Sequence, residues 1–257
     1  MRGMFAGAEA FNQPIGDWDV SHVKDTSWMF AGTRAFNQPI GNWDVSSVQN
    51  MNFMFDGADA FNQPIGDWDV SNVENMWGMF NKAKAFNQPI GDWKMPKIYS
   101  TAGMFSGAKA FNQNISNWDV SNVKTMAAMF YDAQAFNQDI SRWDVSNVES
   151  MPGMFYHAKL FNQPIGDWDV SGVRSMESMF EGAESFNQPI GNWNVSNVEN
   201  MRGMFAYAKS FNQDINGWNI KKACYLNDFA KGSPLGKKLS KCPKRYKEFK
   251  KTLQTVK

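Results

Sequence analysis

Residues that usually carry catalytic chemistry are few in this chain and lie far apart. The 257 residues include two His and two Cys, at His22, His157, Cys224 and Cys242. Nucleophilic catalysis needs a base within reach of the nucleophile, yet the two His are distant in sequence and neither is near a Cys. No phosphate-binding Gly loop and no metal-ligand spacing occurs. The sequence therefore predicts a protein that is not an enzyme, with no catalytic residue, no cofactor and no metal.

Paired carboxylates are the one pattern that could hold a cation. Asp17 and Asp19 are separated by one residue, and the same spacing returns further along the chain. Their oxygen atoms suit Ca²⁺, so a ladder of such pairs is one interpretation. Such pairs are also common on solvated strand faces, and the Gly-rich calcium turn is absent. We therefore favour a solvated surface without metal.

Composition and charge narrow the class of protein. The 26 Lys and Arg nearly balance 25 Asp and Glu, so a nucleic-acid partner is not expected. No run approaches the roughly 18 apolar residues of a transmembrane segment, and the first residues lack the apolar run of a signal peptide. Both Cys lie near the C-terminus, which excludes a disulfide scaffold and leaves a single late bridge open.

The chain is a tandem repeat. Phe-Asn-Gln recurs every 25 residues, beginning at residues 11, 36, 61, 86, 111, 136, 161, 186 and 211. We number the 25-residue coils from residue 1. We expect the Met, Phe and Trp columns to form the core, and the Asn of Phe-Asn-Gln to bond the backbone of the next coil.

The apolar spacing within a coil predicts one helix. Met76 and Phe80 fall on one face of a helix that runs from about residue 72 to 82. Ser71 and Glu74 fit a capping box at its start.

A short strand should follow the helix in each coil. Trp68 and Val70 are two residues apart and would share one face of that strand. Gly57 and its equivalents lie near the helix end, where left-handed backbone is often needed. Stacking one strand and one helix per coil predicts an α/β repeat, a right-handed leucine-rich-repeat-like solenoid. Because helices need more room than strands, the stack should curve into a horseshoe with its strands on the concave side.

The repeat also resembles that of a known family. Met-Phe-x-Gly-Ala-x-x-Phe-Asn-Gln-x-Ile-x-x-Trp-Asp-Val-Ser-Asn-Val is similar to the repeat of the BspA-like leucine-rich-repeat surface proteins, of the 25- to 26-residue Listeria and Mycoplasma type. The resemblance implies a leucine-rich-repeat-like fold and a place at the cell surface or outside the cell. It also implies a role in adhesion or partner binding, with no defined ligand.

The ends of the chain depart from the repeat. We assign residues 1–225 to a nine-coil solenoid and residues 226–257 to a Lys-rich helical C-terminal cap. Its last helix should begin near Pro243 and include Tyr246, Phe249 and Leu253. From residue 221 onward the chain holds twelve Lys or Arg and two acidic residues. Binding of this tail to an anionic polymer or membrane surface is the alternative.

The first coil begins inside the predicted helix, because Met1 stands in the Met column. We expect the natural chain to extend upstream; a covering subunit or a frayed end are the other possibilities.

Coil four breaks the pattern. It reads Trp93-Lys94-Met95-Pro96-Lys97-Ile98 where other coils read Trp-Asp-Val-Ser-Asn-Val. Lys94 interrupts a column of Asp and would relieve like-charge repulsion between coils. A basic docking spot for an acidic partner is the second interpretation.

Binding is the function class that the variable positions favour. Large aromatic and charged side chains occupy outward positions in several coils, and exposed aromatics are usual anchors of interfaces. The candidate partner-binding residues are Trp28, Phe53, Trp77, Lys82, Lys84, Tyr131, Tyr156 and Tyr207. The sequence thus predicts a non-enzymatic protein-binding or adhesion solenoid with an unidentified protein partner. The alternatives are a structural protein that self-associates by end-to-end stacking of coils and, for the aromatics, burial between neighbouring helices.

Overall fold

The computed structural model describes residues 1–255, with side chains through residue 252, so the predicted packing of Leu253 lies outside the described side chains. Within residues 1–233 there is no helix, and strand pairing is limited to isolated bridges. The helices are α1 (Pro234–Lys237) and α2 (Lys244–Thr255), with a 3-10 turn at Leu239–Lys241 between them. The predicted α/β repeat with one short strand and one helix per coil, a right-handed leucine-rich-repeat-like solenoid, is therefore wrong. The horseshoe curvature loses its basis, because it assumed a layer of helices.

Hydrogen-bonded turns take the place of the predicted helix. The N–H of Met4 donates to the carbonyl of Met1, three residues back, at 3.3 Å. The next N–H, that of Phe5, donates instead to the carbonyl of Met29 in the following coil, at 2.9 Å. An α-helix would send both bonds four residues back. Alternate N–H groups therefore serve a local turn and the neighbouring coil.

Two positions in every coil have left-handed backbone. The third and seventh residues, counted from the Met column, have φ between +51° and +76°, whether or not they are Gly. Each is the third residue of a hydrogen-bonded turn of four, where a type II turn requires positive φ. The predicted left-handed backbone at Gly57 is present, with φ +66°. The helix end predicted at this residue is absent, because residues 1–233 contain no helix.

Local turns also replace the capping box and the strand. The N–H of Ser71 donates to Asp69 Oδ1 at 3.0 Å, and the N–H of Glu74 donates to the carbonyl of Gln49 at 2.8 Å. Neither Ser71 nor Glu74 therefore caps a helix. Parallel pairing is confined to the last residue of a coil, as between Asn50 and Asn75. The turn between Asp69 and Ser71 bends the chain where the strand was predicted. Val70 therefore forms no strand pairing with a neighbouring coil.

The core consists of aromatic and methionine columns, as predicted. Phe55 and Phe61 have no exposed surface, and Trp68 is 4% exposed. The rings of Phe55 and Phe61 stack at 3.9 Å between centroids, and Phe55 continues to Phe80 of the next coil at 5.7 Å. Continuous ring stacks therefore hold neighbouring coils together.

Side-chain ladders satisfy backbone groups between coils. Asn12 Oδ1 accepts from the N–H of Asn37 at 2.9 Å, and Asn37 Oδ1 accepts from the N–H of Asn62 at 2.9 Å. The predicted bond from this Asn to the backbone of the next coil is confirmed. The indole Nε1 of Trp43 donates to the carbonyl of Ile15 in the preceding coil at 3.2 Å. Polar contacts as well as packing thus fix the register of the Trp column.

The C-terminal residues cover the last coil. Residues 226–233 continue the turn pattern, and the N–H of Phe205 donates to the carbonyl of Phe229 at 2.7 Å. Tyr246 of α2 packs on Phe229 with 4.9 Å between ring centroids. Lys241 Nζ donates to the carbonyl of Asn212 at 2.6 Å, where a Gln amide donates in earlier coils. These groups thus occupy the positions at which the next coil bonds and stacks elsewhere in the chain.

Candidate interaction surface

One outward surface carries the large variable side chains. We call it the turn face, and define it as the second, third, sixth, seventh and ninth residues of each coil. These residues alternate with the buried Met, Phe and Ala of the same turns. All eight predicted partner-binding residues occupy turn-face positions. The structure therefore places them on one side of the stack, although no helix presents them.

Three of these residues form a continuous aromatic stack. The rings of Trp28 and Phe53 lie 4.2 Å apart at 20°, and those of Phe53 and Trp77 lie 5.4 Å apart at 49°. The indole of Trp77 in turn reaches Gly103 of the next coil. Trp28 and Trp77 remain 37% and 52% exposed, and Phe53 between them is partly buried. The alternative of burial between neighbouring helices assumed helices that residues 1–233 do not contain. The rings pack on one another instead.

Trp28 and Phe53 occupy strained backbone. Their φ values are +61° and +53°, at the column where Gly3, Gly78 and Gly103 stand in other coils. A left-handed conformation costs a residue with a Cβ roughly 1–2 kcal/mol. Bulky side chains are rarely found there.

Lys82 and Lys84 border the aromatic stack but are opposed by acids. Lys84 Nζ lies 2.8 Å from Asp59 Oδ2 across neighbouring coils. Burial raises the pKa of Asp56, and the nearby positive charge of Lys82 partly offsets that rise. This edge of the turn face therefore presents mixed charge rather than a basic patch.

The tyrosines form two further groups on the same face. Tyr131 and Tyr156 stack at 4.3 Å, and Tyr156 stacks on His157 at 4.3 Å. Burial raises the pKa of Tyr156, and Tyr131 and Glu181 add to the rise. Tyr207 stands apart from them; its ring faces Lys231 Nζ at 6.0 Å from the centroid. The structure thus brings Tyr131 and Tyr156 together and leaves Tyr207 separate.

One Ser, His and Asp group lies close together among the described residues, but its order differs from that of a catalytic triad. Ser21 Oγ lies 2.9 Å from His22 Nδ1, and the same hydroxyl donates to Asp19 Oδ1 at 2.6 Å. A catalytic triad would instead use the carboxylate to orient the imidazole. Cys224 is exposed, Cys242 is buried, and both are free thiols. Within residues 1–255 no group of three or more His, Cys, Asp or Glu is arranged to hold a metal ion.

The Asp column is built into local turns. Asp144 Oδ1 accepts from the hydroxyl and the N–H of Ser146, at 2.6 and 3.0 Å. These two bonds lower the pKa of Asp144, while desolvation and the neighbouring Asp119 and Asp169 oppose the effect. The carboxylates therefore have local partners, which explains the column without a calcium ladder.

Stacked turn coils with an aromatic turn face define this molecule as a tandem-repeat protein with a one-sided surface of variable residues. Residues 1–112, 89–173 and 142–241 match the family described as Mycoplasma protein of unknown function, DUF285. The chain belongs to that family. No curated protein and no solved structure is significantly similar to it. In the part of the chain that the structure describes, no helix has both the length and the apolar character needed to cross a membrane.

Sequence reasoning missed the backbone cost at Trp28 and Phe53. A signal was present, because Gly fills the same column in several other coils. Trp and Phe at a position that holds Gly in five other coils indicate a side chain placed on left-handed backbone.

Proposed function

We propose that the protein is a non-enzymatic binding repeat whose turn face docks a protein partner. The partner anchors on Trp28, Phe53 and Trp77, with Lys82 and Lys84 at the rim. Adhesion at a cell surface is the setting that the resemblance to the BspA-like surface proteins implies.

The conformation of Trp28 and Phe53 carries this proposal. Gly meets the backbone requirement of this column without strain, as Gly78 and Gly103 do. Two bulky aromatics there cost free energy of folding and leave apolar surface in water. Side chains held in such conformations are typical of functional positions. Exposed aromatic clusters are typical of interfaces.

The stacking of the rings favours a protein ligand over a sugar. Phe53 lies between Trp28 and Trp77, so its faces are used within the chain. A sugar would need a free ring face on which to lie. A protein side chain can instead pack against the exposed edges and the mixed charges of Asp59 and Lys84.

A capture experiment with matched variants tests the proposal. The triple variant Trp28→Ser/Phe53→Ser/Trp77→Ser should fold, because these side chains lie outside the core, and should lose the protein that the unaltered chain retains from a source-cell extract. Leu160→Ser/Tyr225→Ser removes exposed apolar surface elsewhere and should retain it. Calorimetry with the purified partner should then show at least a tenfold weaker affinity for the triple variant. Equal retention by the folded triple variant and the unaltered chain would refute the assignment.

A further inference from the structure

One rung of the stack is missing. Isolated parallel bridges join the last residues of successive coils, from Asp25 with Asn50 onward to Asn200 with Tyr225. Within the described residues, Asn75 and Ser100 are the neighbours in this column that form no bridge, although Asn75 pairs with Asn50 and Ser100 pairs with Thr125.

Two backbone hydrogen bonds are absent at the same place. The first residue of a coil normally donates its N–H to the carbonyl 24 residues on, as Met51 does to Asn75 at 2.9 Å. The residue two positions earlier normally donates to the coil before, as Lys124 does to Tyr99 at 2.8 Å. Met76 and Tyr99 make no such backbone bond.

The sequence of coil four explains the gap. In neighbouring coils the N–H of a Ser donates to an Asp carboxylate two residues back, as Ser121 does to Asp119 at 3.0 Å. Lys94 has no acceptor at the Asp position, and Pro96 has no N–H at the Ser position. The side-chain bond that supports this turn therefore cannot form, although the N–H of Ile98 still donates to the carbonyl of Met95 at 3.2 Å. Next to the gap, Thr101 stands in the Met column, and its hydroxyl is buried with no hydrogen-bond partner.

The two coils remain joined on their other side. The N–H of Gly78 donates to the carbonyl of Ala102 at 3.0 Å. The rings of Phe80 and Phe105 stack at 5.7 Å. The connection is thus intact along the turn segment and the core. Along the other edge the backbone bonds are lost, and Lys97 Nζ donates to Asn72 Oδ1 at 2.9 Å. This asymmetry is the geometry of a hinge.

We infer that the junction between residues 74–76 and 99–101 is a weak rung at which the stack opens, dividing it into two cooperative units. In a repeat stack each coil contacts only its neighbours, so one weakened interface lowers the free energy of opening at that place alone. Neighbouring junctions keep their bridges and both backbone bonds, so opening concentrates at this one.

The hinge lies beside the aromatic stack. Trp77 follows Met76, its N–H donates to Asn52 Oδ1 at 3.0 Å, and its ring reaches Gly103 across the junction. Trp77 therefore lies at this junction, on the side where the two coils stay joined. This link to binding rests on the proposed function, whereas the hinge itself does not.

Native-state hydrogen exchange tests the hinge without any partner. The amides of Met76 and Tyr99, corrected for intrinsic rates, should exchange at least tenfold faster than those of Met51 and Lys124. Equal protection of the two pairs would overturn the inference.

A restoring variant gives the second arm of the test. Coil eight uses Asn194, whose Oδ1 accepts from the N–H of Ser196 at 3.2 Å. Lys94→Asn/Pro96→Ser should rebuild this turn and slow exchange at Met76 and Tyr99 at least tenfold. Lys159→Asn/Pro164→Ser, the same changes in coil seven, should leave those rates unaltered. A folded restoring variant with unaltered exchange rates would contradict the assigned cause. If that variant fails to fold, the comparison of amides within the unaltered protein still tests whether the hinge exists.

Discussion

The ring of Phe53 lies directly over Gly78 of the next coil, and both residues have left-handed backbone, with φ of +53° and +60°. A Cβ atom at residue 78 would overlap the carbons of that ring. The same relationship joins His157 to Gly182 and Tyr207 to Gly232. In these three pairs a large side chain at a left-handed position lies over a Gly at the same column one coil later. Trp28 is different, because the next residue in its column is Phe53, on whose ring it stacks.

Gly78→Ala should destabilise the protein by about 2–4 kcal/mol, because it adds left-handed strain and a clash with Phe53. Gly103→Ala is the matched control. Its φ is +61° and its Cβ would meet neighbouring atoms at ordinary distances of 3.6 Å or more, so it should pay the backbone strain alone. Denaturant midpoints measure both costs. In a chain that carries Phe53→Gly, the cost of Gly78→Ala should fall to that of Gly103→Ala. An unchanged cost would show that the Phe53 ring does not clash with the added Cβ atom.

Ala128→Gly should stabilise the protein by about 1 kcal/mol, because Ala128 holds a φ of +53° that Gly adopts without strain. Ala127→Gly, at the preceding residue with ordinary backbone, should instead cost about 0.5–1 kcal/mol. Thermal or chemical denaturation compares the two variants. A loss of stability in Ala128→Gly would argue against strain at this column.

Trp118→Ala should cost roughly 3–5 kcal/mol through cavity formation in the core. Trp118 is 3% exposed, and its Nε1 donates to the carbonyl of Ile90 at 2.9 Å. Trp118→Phe keeps most of the packing but loses this bond, so its cost should fall well below that of the Ala variant. Equilibrium unfolding measures both, and a cost for Trp118→Ala no larger than for an exposed residue would remove the Trp column from the core.

Ser146→Ala should raise the pKa of Asp144, because it removes the hydroxyl that donates to the carboxylate. A carboxyl with a depressed folded-state pKa stabilises the protein above its unfolded-state pKa. That contribution disappears as pH falls through the folded-state pKa. In the variant the two pKa values of Asp144 lie closer together, so the free energy of unfolding should fall less steeply as pH drops below about 4. Carboxyl titration by nuclear magnetic resonance checks this, with Ser106→Ala as a control; an unmoved Asp144 pKa would contradict the role of Ser146.

Cys224 should react with a thiol reagent at pH 8 at least tenfold faster than Cys242. Cys224 is exposed, whereas burial raises the pKa of Cys242 to about 11 and shields its Sγ. Mass spectrometry of partly alkylated protein separates the two sites. Comparable rates at both would mean that the C-terminal cap opens readily in solution.

The sequence by itself determined the 25-residue period, the buried columns and the Asn ladder. Repetition explains this success, because identical residues at a fixed interval must stack on their own kind if the coils are to share one core. The sequence also assigned the eight candidate residues to outward positions, but it assumed helices that residues 1–233 do not contain.

Only the tertiary structure decided the conformation of the backbone. Met76, Met79 and Phe80 have a spacing that an α-helix and a series of tight turns both satisfy. The choice depends on where the intervening N–H groups donate. In this protein alternate groups, such as that of Phe5, bond a carbonyl 24 residues away, and no local pattern reports so distant an acceptor. The stacking of neighbouring coils supplies those acceptors, so it fixes the turns, the left-handed residues and the aromatic stack together.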